Sequence, residues 1–352
     1  MPKSDAYPWQ FKPRFRRRAF GWKSQPAILR IKEAVSEIKQ VARKDPALAG
    51  EGAVLFLERI SPDLEQVDSS SGAIGTAVYR AMDALVPIIA AAPIDTKTRT
   101  VWLDRLWQAH MDDDIPYIER MEDVWGELCA TPELTEIWAD RLAGDLDLFW
   151  SADPKPSGIL KGTMACFSTL LAAHRFDRVL ALVDKAPFLW WPWRRWGVRA
   201  LAGQGSTDEA IRYAQGSLGF NDSPADIAQE CEAVLLRAGR NDEAYLDHAI
   251  LATQAGTNLA TFRSLAKKYP HVPRARLLED LVASTPGDEG KWFATDGYDV
   301  TSLDVWAAYR ETMAAAAILG ESVAVKARLQ AMLAGVSSAN FVAQVLGREL
   351  AL

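Results

Sequence analysis

Apolar residues recur along most of this chain at steps of three and four positions, which is the period of an amphipathic helix. Ile227, Cys231, Val234, Leu235 and Ala238 follow this spacing and fall on one face of a single helix. The alternation of apolar and polar residues that is typical of a half-buried strand is nearly missing. The pattern therefore predicts an all-α fold without a sheet.

Capping residues and prolines divide this pattern into consecutive helices. Ser24, Asp95 or Thr96, and Thr131 are predicted to begin helices, because their side chains can accept the free backbone N–H groups of a first turn. Pro87 predicts a kink or a break, since proline has no N–H to donate. The predicted helices span about residues 24–44, 48–60, 76–91, 95–109, 116–129, 131–146, 257–268, 274–283, 321–333 and 338–350, and another begins at Thr301.

Between residues 161 and 251 the pattern repeats itself. Leu170–Val179, Leu201–Ala210 and Leu235–Ala244 each contain the end of an apolar helix, a short polar turn and an acidic residue that opens the next helix. Their aspartates lie 31 and 34 positions apart, close to the period of tetratricopeptide-type helix pairs. Gly205 and Gly239 suit the helix ends, because glycine takes a positive φ without a Cβ clash. One pair cannot bury its apolar face alone, so we expect a tetratricopeptide-like α-solenoid of antiparallel helix pairs.

Composition divides the chain into three parts. Residues 1–23 form a basic aromatic arm, residues 24–150 an N-terminal helical region, and residues 151–352 the tetratricopeptide-like repeat region. Ser151–Gly158 is the clearest linker, since it is rich in proline and serine. With 352 residues and 49% apolar composition, the chain is long enough to bury a large core.

The charge of the N-terminal arm is opposite to that of the whole chain. Residues 1–23 contain seven Lys or Arg and one Asp, whereas the whole chain has a formal net charge of −6. One interpretation is nucleic-acid binding, in which cations hold phosphates and the interleaved aromatic side chains stack on bases. The arginines concerned are Arg14, Arg16, Arg17 and Arg18. The alternatives are a disordered arm and an arm packed on its own acidic body or on a partner subunit. Packing is favoured, because a solvated arm would not usually carry so many large aromatic residues.

The densest cluster of aromatic and cationic residues lies at one inter-helix turn of the repeat region. Trp193 and Trp196 fall on the apolar stripe and are predicted to be core residues. The residues beside them are candidate contacts for a partner, because exposed Trp and Arg are typical of binding hot spots. These candidates are Trp190 and Trp191, which are expected at the exposed turn, and Arg194 and Arg195, which are expected to face the concave groove or solvent. Packing between repeats is the alternative role for the whole cluster.

The cysteines and the hydropathy profile bear on the cellular compartment. Cys129, Cys166 and Cys231 lie far apart within helical patterns and have no CxxC spacing, so we interpret them as small buried residues in a reducing compartment. The N-terminus lacks the apolar segment of a signal peptide, and the most apolar run, residues 84–93, is too short to span a bilayer. We expect a cytoplasmic protein with no membrane partner.

Candidate chemistry is sparse. The run His110–Asp114 joins a histidine to three aspartates, but its spacing fits no calcium loop, and acids before Pro116 are ordinary capping residues. The chain contains no GxSxG or HExxH motif. We therefore expect no metal, no cofactor and no catalytic residue. An enzyme with a site assembled across helices is a further alternative, which a deep polar pocket holding His110 or His174 beside carboxylates would support.

Six strings distributed over most of the chain are distinctive. They are Glu65–Gly75, Trp102–Trp107, Ile115–Ile118, Arg194–Gly197, Ala260–Pro270 and Thr285–Phe293. Together they resemble a family of uncharacterised bacterial proteins built of tetratricopeptide-like helical repeats. The resemblance implies an all-helical repeat fold and carries over no catalytic residue.

These observations favour a non-catalytic scaffold that takes a protein or peptide segment in the concave face of a helical repeat array. A nucleic-acid-associated protein that uses its basic arm is the first alternative, and an enzyme is the second. The scaffold hypothesis requires that Trp190, Arg194 and Arg195 are not all buried.

Overall fold

The computed structural model describes residues 7–17, 19–152, 156, 158–219, 222–255 and 258–284. Within these residues the chain is all-helical and contains no strand, which confirms the predicted all-α class. The loop and helices predicted beyond residue 284 lie outside the described residues. The chain divides into two compact units, residues 1–206 and 207–352.

The helices of the first unit follow a short 3-10 turn at Lys12–Arg14. They are α1 (Ser24–Ala42), α2 (Pro46–Leu64), α3 (Ala73–Ala90), α4 (Thr96–Met111), α5 (Trp125–Cys129), α6 (Pro132–Trp150), α7 (Thr163–Ala172), α8 (Phe176–Lys185) and α9 (Trp191–Gly203). The predicted capping roles of Asp95 and Thr131 are confirmed, since their side chains accept the N–H groups of Thr98 and Leu134.

Helices α1, α2 and α3 pack against one another as a bundle. Of the predicted stripe of α1, Ile31, Val35 and Ile38 form part of the apolar face of α1 and are buried. Helix α4 packs on α2 at Gly50, where a Cβ atom would lie 2.6 Å from the Trp102 ring. Only glycine fits this crossing, because a methyl group would overlap the indole.

Two helices continue through prolines at which the sequence predicted an end or a break. Helix α2 runs through Pro62 to Leu64, and α3 runs through Pro87 to Ala90. Each proline lies within the last turn of its helix, where it removes one backbone donor and leaves the preceding turns intact. The predicted end of α2 near Ile60 and the predicted break at Pro87 are therefore wrong.

The helix predicted over residues 116–129 is instead a 3-10 helix, Glu119–Val124, followed by the short α5. The Asp113 carboxylate accepts the backbone N–H of Ile118 at 2.8 Å and so fixes the chain in a loop before this segment. Downstream, Trp125 packs edge-on against Trp107, with ring centroids 5.1 Å apart. Contacts with side chains outside residues 116–129 therefore prevent the continuous helix that the sequence predicts there.

The three predicted repeat turns share one backbone geometry. His174, Gly205 and Gly239 all have positive φ, at 56°, 83° and 74°. In each turn the next residue donates its N–H to the carbonyl five residues back, as Arg240 does to Leu235 at 2.9 Å. This is the hydrogen bond of a left-handed helix C-terminus. The predicted equivalence of the three turns is confirmed, including the histidine at a position that favours glycine.

The second unit consists of helices from residue 207 onwards. They are α10 (Thr207–Gln215), α11 (Pro224–Arg237), α12 (Asn241–Ala244), a π-helical turn (Tyr245–Ala249), α13 (Ile250–Ala252), α14 (Asn258–Lys268) and α15 (Arg274–Ala283). The buried Glu232 of α11 accepts hydrogen bonds from Tyr269 and Lys268. Burial and the hydrogen bond to Glu232 raise the pKa of Tyr269, so its hydroxyl group remains protonated and acts as a donor.

One helix among the described residues, α3, has the length and apolar composition of a membrane span. Its buried residues, among them Ile74, Val78 and Leu85, pack in the bundle with α1 and α2, as those of a soluble core helix do. Its remaining face forms part of the groove described next.

Candidate functional site

An open groove of about 730 Å³ runs between α1 and α3. Its floor is aliphatic: Ile31 and Val35 of α1 and Ala81 of α3 are buried, while Ile28 and Ala77 are partly exposed. None of the residues that line the groove is aromatic. The groove therefore presents an apolar strip to the outside of the bundle that is exposed in part, at Ile28 and Ala77.

The rim of this groove is cationic. It is lined by Lys32 and Lys39 of α1, by Arg43 directly after the end of α1, and by Arg80 of α3, and all four are exposed. The other polar residues on the lining are uncharged, and no Asp or Glu is among them. Within the described part of the chain these four cations take part in no ion pair, so their charge is available to a ligand.

The sequence reasoning missed this groove, although the signal was present. Lys32, Lys39 and Arg43 are separated by seven and four positions, a spacing that places them on one face of a helix. Helix α3, which forms the other wall of the groove, could not be identified from the sequence, because the pairing of α1 with α3 depends on tertiary packing rather than on sequence order.

The Trp/Arg cluster at the start of α9 differs from its prediction in one residue. Trp191 is buried with 5% of its surface exposed, so the expectation that it lies on the surface is wrong. It is the first residue of α9 and is among the buried residues of that helix. Trp190, the N-cap residue, is partly exposed, and its ring packs edge-on against Trp193 at 5.0 Å between centroids.

The two arginines of this cluster are partly buried and have partners within the first unit. Arg195 pairs with Asp123 of the 3-10 helix and lies over the Trp196 ring. Arg194 lies 3.9 Å from Asp184 at the end of α8. The apolar residues that are exposed at this turn are Phe188 and Leu189, at 42% and 63%, and they precede the predicted set. Any contact surface here is smaller and more apolar than predicted.

The N-terminal arm packs on its own body, as its aromatic content predicted. The aromatic side chains of Trp9, Phe11, Phe15 and Phe20 are buried. Trp9 lies over Gly52 of α2, where a Cβ atom would overlap the indole ring. Phe11 and Phe15 both pack against Phe56, with centroids 6.3 and 5.4 Å apart.

Polar contacts hold the same arm in place. Two backbone N–H groups of the arm, those of Gln10 and Phe11, donate to the Glu37 carboxylate at 2.8 and 3.1 Å. Arg14 and Arg17 form exposed ion pairs with Glu33 and Glu65 of the body. Arg16 is exposed, and Arg18 lies outside the described residues. Two of the four candidate phosphate-binding arginines are thus engaged with carboxylates.

His110, the candidate for a catalytic or metal site, is a buried structural residue. It is 1% exposed, and its Nε2 atom lies 2.6 Å from the Glu122 carboxylate. The same carboxylate accepts the backbone N–H groups of Gly162, Met164 and Ala165 at the start of α7. Glu122 therefore caps a helix from a distance. Its oxygens are occupied by protein donors, and the described residues contain no cluster of metal-ligating side chains.

The three cysteines are shielded from solvent, as the sequence predicted. The cysteines Cys129, Cys166 and Cys231 are buried. Burial raises the pKa of the Cys129 and Cys166 thiols to about 12 and that of Cys231 to about 11. These thiols stay protonated at neutral pH, and a protonated thiol is a poor nucleophile. His174 is a turn residue with a positive φ, in ring contact with Phe176.

Comparison of the chain with known protein families, with curated proteins and with solved structures finds no match in any of the three.

Proposed function

We propose that this protein is a non-catalytic scaffold that binds a segment of another protein, and that the groove between α1 and α3 is the main docking surface. The proposal depends on one observation: a groove with a partly exposed aliphatic floor opens between four exposed cations that have no ion-pair partner among the described residues. Exposed apolar strips with a polar rim are typical of protein interfaces. A cytoplasmic location is part of the same proposal.

The repeat region supplies a second part of the proposal. The three equivalent turns at His174, Gly205 and Gly239 support a tetratricopeptide-like arrangement of helix pairs, and we propose that it continues as a solenoid. Trp190, Arg194 and Arg195, which are all partly exposed, remain candidate contacts on this array, together with Phe188. Trp191 is no longer a candidate, because it is buried.

Site-specific photo-crosslinking in the native host cell tests the groove. A photoreactive residue is placed at Gln40, which is exposed on the groove rim. The matched control is Gln108, an exposed glutamine of α4 that lies outside the groove. We expect one protein segment, identified by mass spectrometry, to be crosslinked from Gln40 and not from Gln108. Equal crosslinking from both positions, or none from Gln40, would contradict the proposal.

The nucleic-acid alternative is supported by the exposed Arg16, beside which Arg14 and Arg30 line a shallow depression, and by Trp22 of the arm, which is 71% exposed. Four other aromatic side chains of the arm, Trp9, Phe11, Phe15 and Phe20, are buried and are not available to stack on bases. If the arm binds nucleic acid, binding of a short oligonucleotide should be strongly salt-dependent and should be lost in Arg16→Ala. Binding that persists in this variant would remove the arm from consideration.

A further inference from the structure

We infer that the occupant of the α1–α3 groove is an acidic amphipathic helix of a partner protein. This inference rests on the proposed function and adds the chemical class of the bound segment. It follows from three features of the groove, which are its length, its floor and its charge.

The length of the groove matches a helix of several turns. On α1 the lining begins at Gln25 and continues through Ile28, Lys32 and Lys39 to Arg43, which follows the last residue of the helix. These residues lie on one face along the whole length of α1. A helix of 19 residues is roughly 28 Å long at 1.5 Å per residue. On α3 the lining extends from Ala73 to Ala84. Two helices packed side by side form a trough in which a third helix can lie, and this helix-in-groove arrangement is a common mode of peptide recognition.

The floor of the groove suits a helix better than an extended or aromatic ligand. On the α3 side the floor is formed by alanines, Ala77, Ala81 and Ala84, which let a neighbouring backbone approach closely. On the α1 side Ile28 projects beside them and is only partly buried. Apolar residues spaced at i, i+3, i+4 and i+7 on a partner helix would cover this strip.

The charge of the groove selects an acidic partner. The four rim cations Lys32, Lys39, Arg43 and Arg80 are exposed in a chain whose net charge is −6, so they form a local positive site on an acidic protein. Carboxylates beside the apolar stripe of a docked helix would face them. A nucleic acid is disfavoured, because the lining offers no aromatic ring for a base to stack on.

The experiment measures binding of labelled model peptides to the full-length protein by fluorescence anisotropy. The main probe is a helical peptide of about 18 residues with Leu at helical spacing and Glu beside the apolar stripe. A shuffled peptide of the same composition and a peptide with Lys in place of Glu serve as controls. We expect only the first peptide to bind, with an affinity that falls as salt is added.

Charge-reversal variants locate the binding. Lys39→Glu with Arg80→Glu removes cations from both walls of the groove and should weaken binding about tenfold. Lys97→Glu with Arg212→Glu changes the net charge equally at exposed sites outside the groove, and it should change binding less than about twofold. Ala77→Trp fills the partly exposed floor of the groove without altering the charge, and this variant should abolish peptide binding.

Several results would overturn the inference. These are failure of the Glu peptide to bind, equal binding of the shuffled peptide, and equal effects of the two double reversals. Preferential binding of a single-stranded oligonucleotide that requires Lys39 and Arg80 would replace it with a nucleic-acid site. Self-association that the groove reversal abolishes in sedimentation would replace it with an interface between copies of this chain. If Gln40 captures a protein segment that is not an acidic helix, the proposed function stands and this inference fails.

Discussion

Replacing Asp63 by Asn should make the protein more stable at pH 8 and leave its stability at pH 4 nearly unchanged. Asp63 lies near the end of α2 with 2% of its surface exposed. Its Oδ2 atom has no hydrogen-bond partner among the described residues. Burial raises the pKa of this carboxyl from 3.8 to about 7, although the nearby Arg59 acts in the opposite direction.

The sign and size of the effect follow from proton linkage. Because the pKa is higher in the folded state, the folded protein keeps a proton that the unfolded chain has already released between pH 3.8 and about 7. The free energy of unfolding therefore falls as pH rises through this window. At about 1.36 kcal/mol for each pKa unit, the total loss is on the order of 4 kcal/mol. Asn has nearly the same shape and no charge, so the variant escapes this loss.

The assay is urea unfolding of the wild type and the variant at several pH values between about 4 and 8. The difference between the two proteins isolates Asp63, since all other carboxylates titrate in both. Asp104→Asn, at an exposed site on α4, is the control for the exchange of Asp by Asn and should change the free energy of unfolding at pH 8 much less than Asp63→Asn does. A flat Asp63→Asn difference, or a variant that is less stable at pH 8, would refute the reasoning.

Three other substitutions test separate parts of the structure. Gly52→Ala should displace the Trp9 ring and accelerate tryptic cleavage of the N-terminal arm about tenfold. An unchanged cleavage rate would show that the packing of the arm does not depend on this contact. Gly239→Ala should lower the free energy of urea unfolding by about 1 kcal/mol through its positive φ alone, since the new Cβ meets nothing within 4 Å. A neutral result would contradict the left-handed turn. Glu122→Gln should lower the free energy of urea unfolding by about 1.5–3 kcal/mol, because the carboxylate accepts three backbone N–H groups at the start of α7. A decrease below about 0.5 kcal/mol would show that the negative charge is not needed there.

The repeat turns were predictable from sequence because their geometry depends on local backbone preferences. Gly205 and Gly239 have a residue type that favours positive φ, and the polar turn that follows them recurs in all three repeats. His174 was recognisable only through its alignment with these glycines, since a histidine at positive φ is uncommon. The ends of α2 and α3 were less predictable, because tertiary packing decides whether a helix continues through a proline.

The positions of the candidate contact residues were less predictable than the fold. A helical period assigns Trp193 and Trp196 to the core, and both are buried. It cannot assign Trp191, which begins the helix and whose orientation depends on the direction in which the chain enters α9. Arg195 meets Asp123, a residue 72 positions earlier, and nothing in the local sequence predicts that pair. Long-range ion pairs of this kind determine whether an arginine near a surface is available to a partner.

Helix α1 explains how an acidic chain presents a cationic groove. Its two carboxylates on one side, Glu33 and Glu37, are separated by four positions and both bind the N-terminal arm. Lys32 and Lys39 lie on the side that faces α3 and the groove. The docked arm therefore occupies the acidic face of α1 and partly neutralises it, while the cationic face stays open. The packing of the arm and the proposed binding are thus two consequences of one helix that directs two carboxylates towards the arm and two lysines towards the groove.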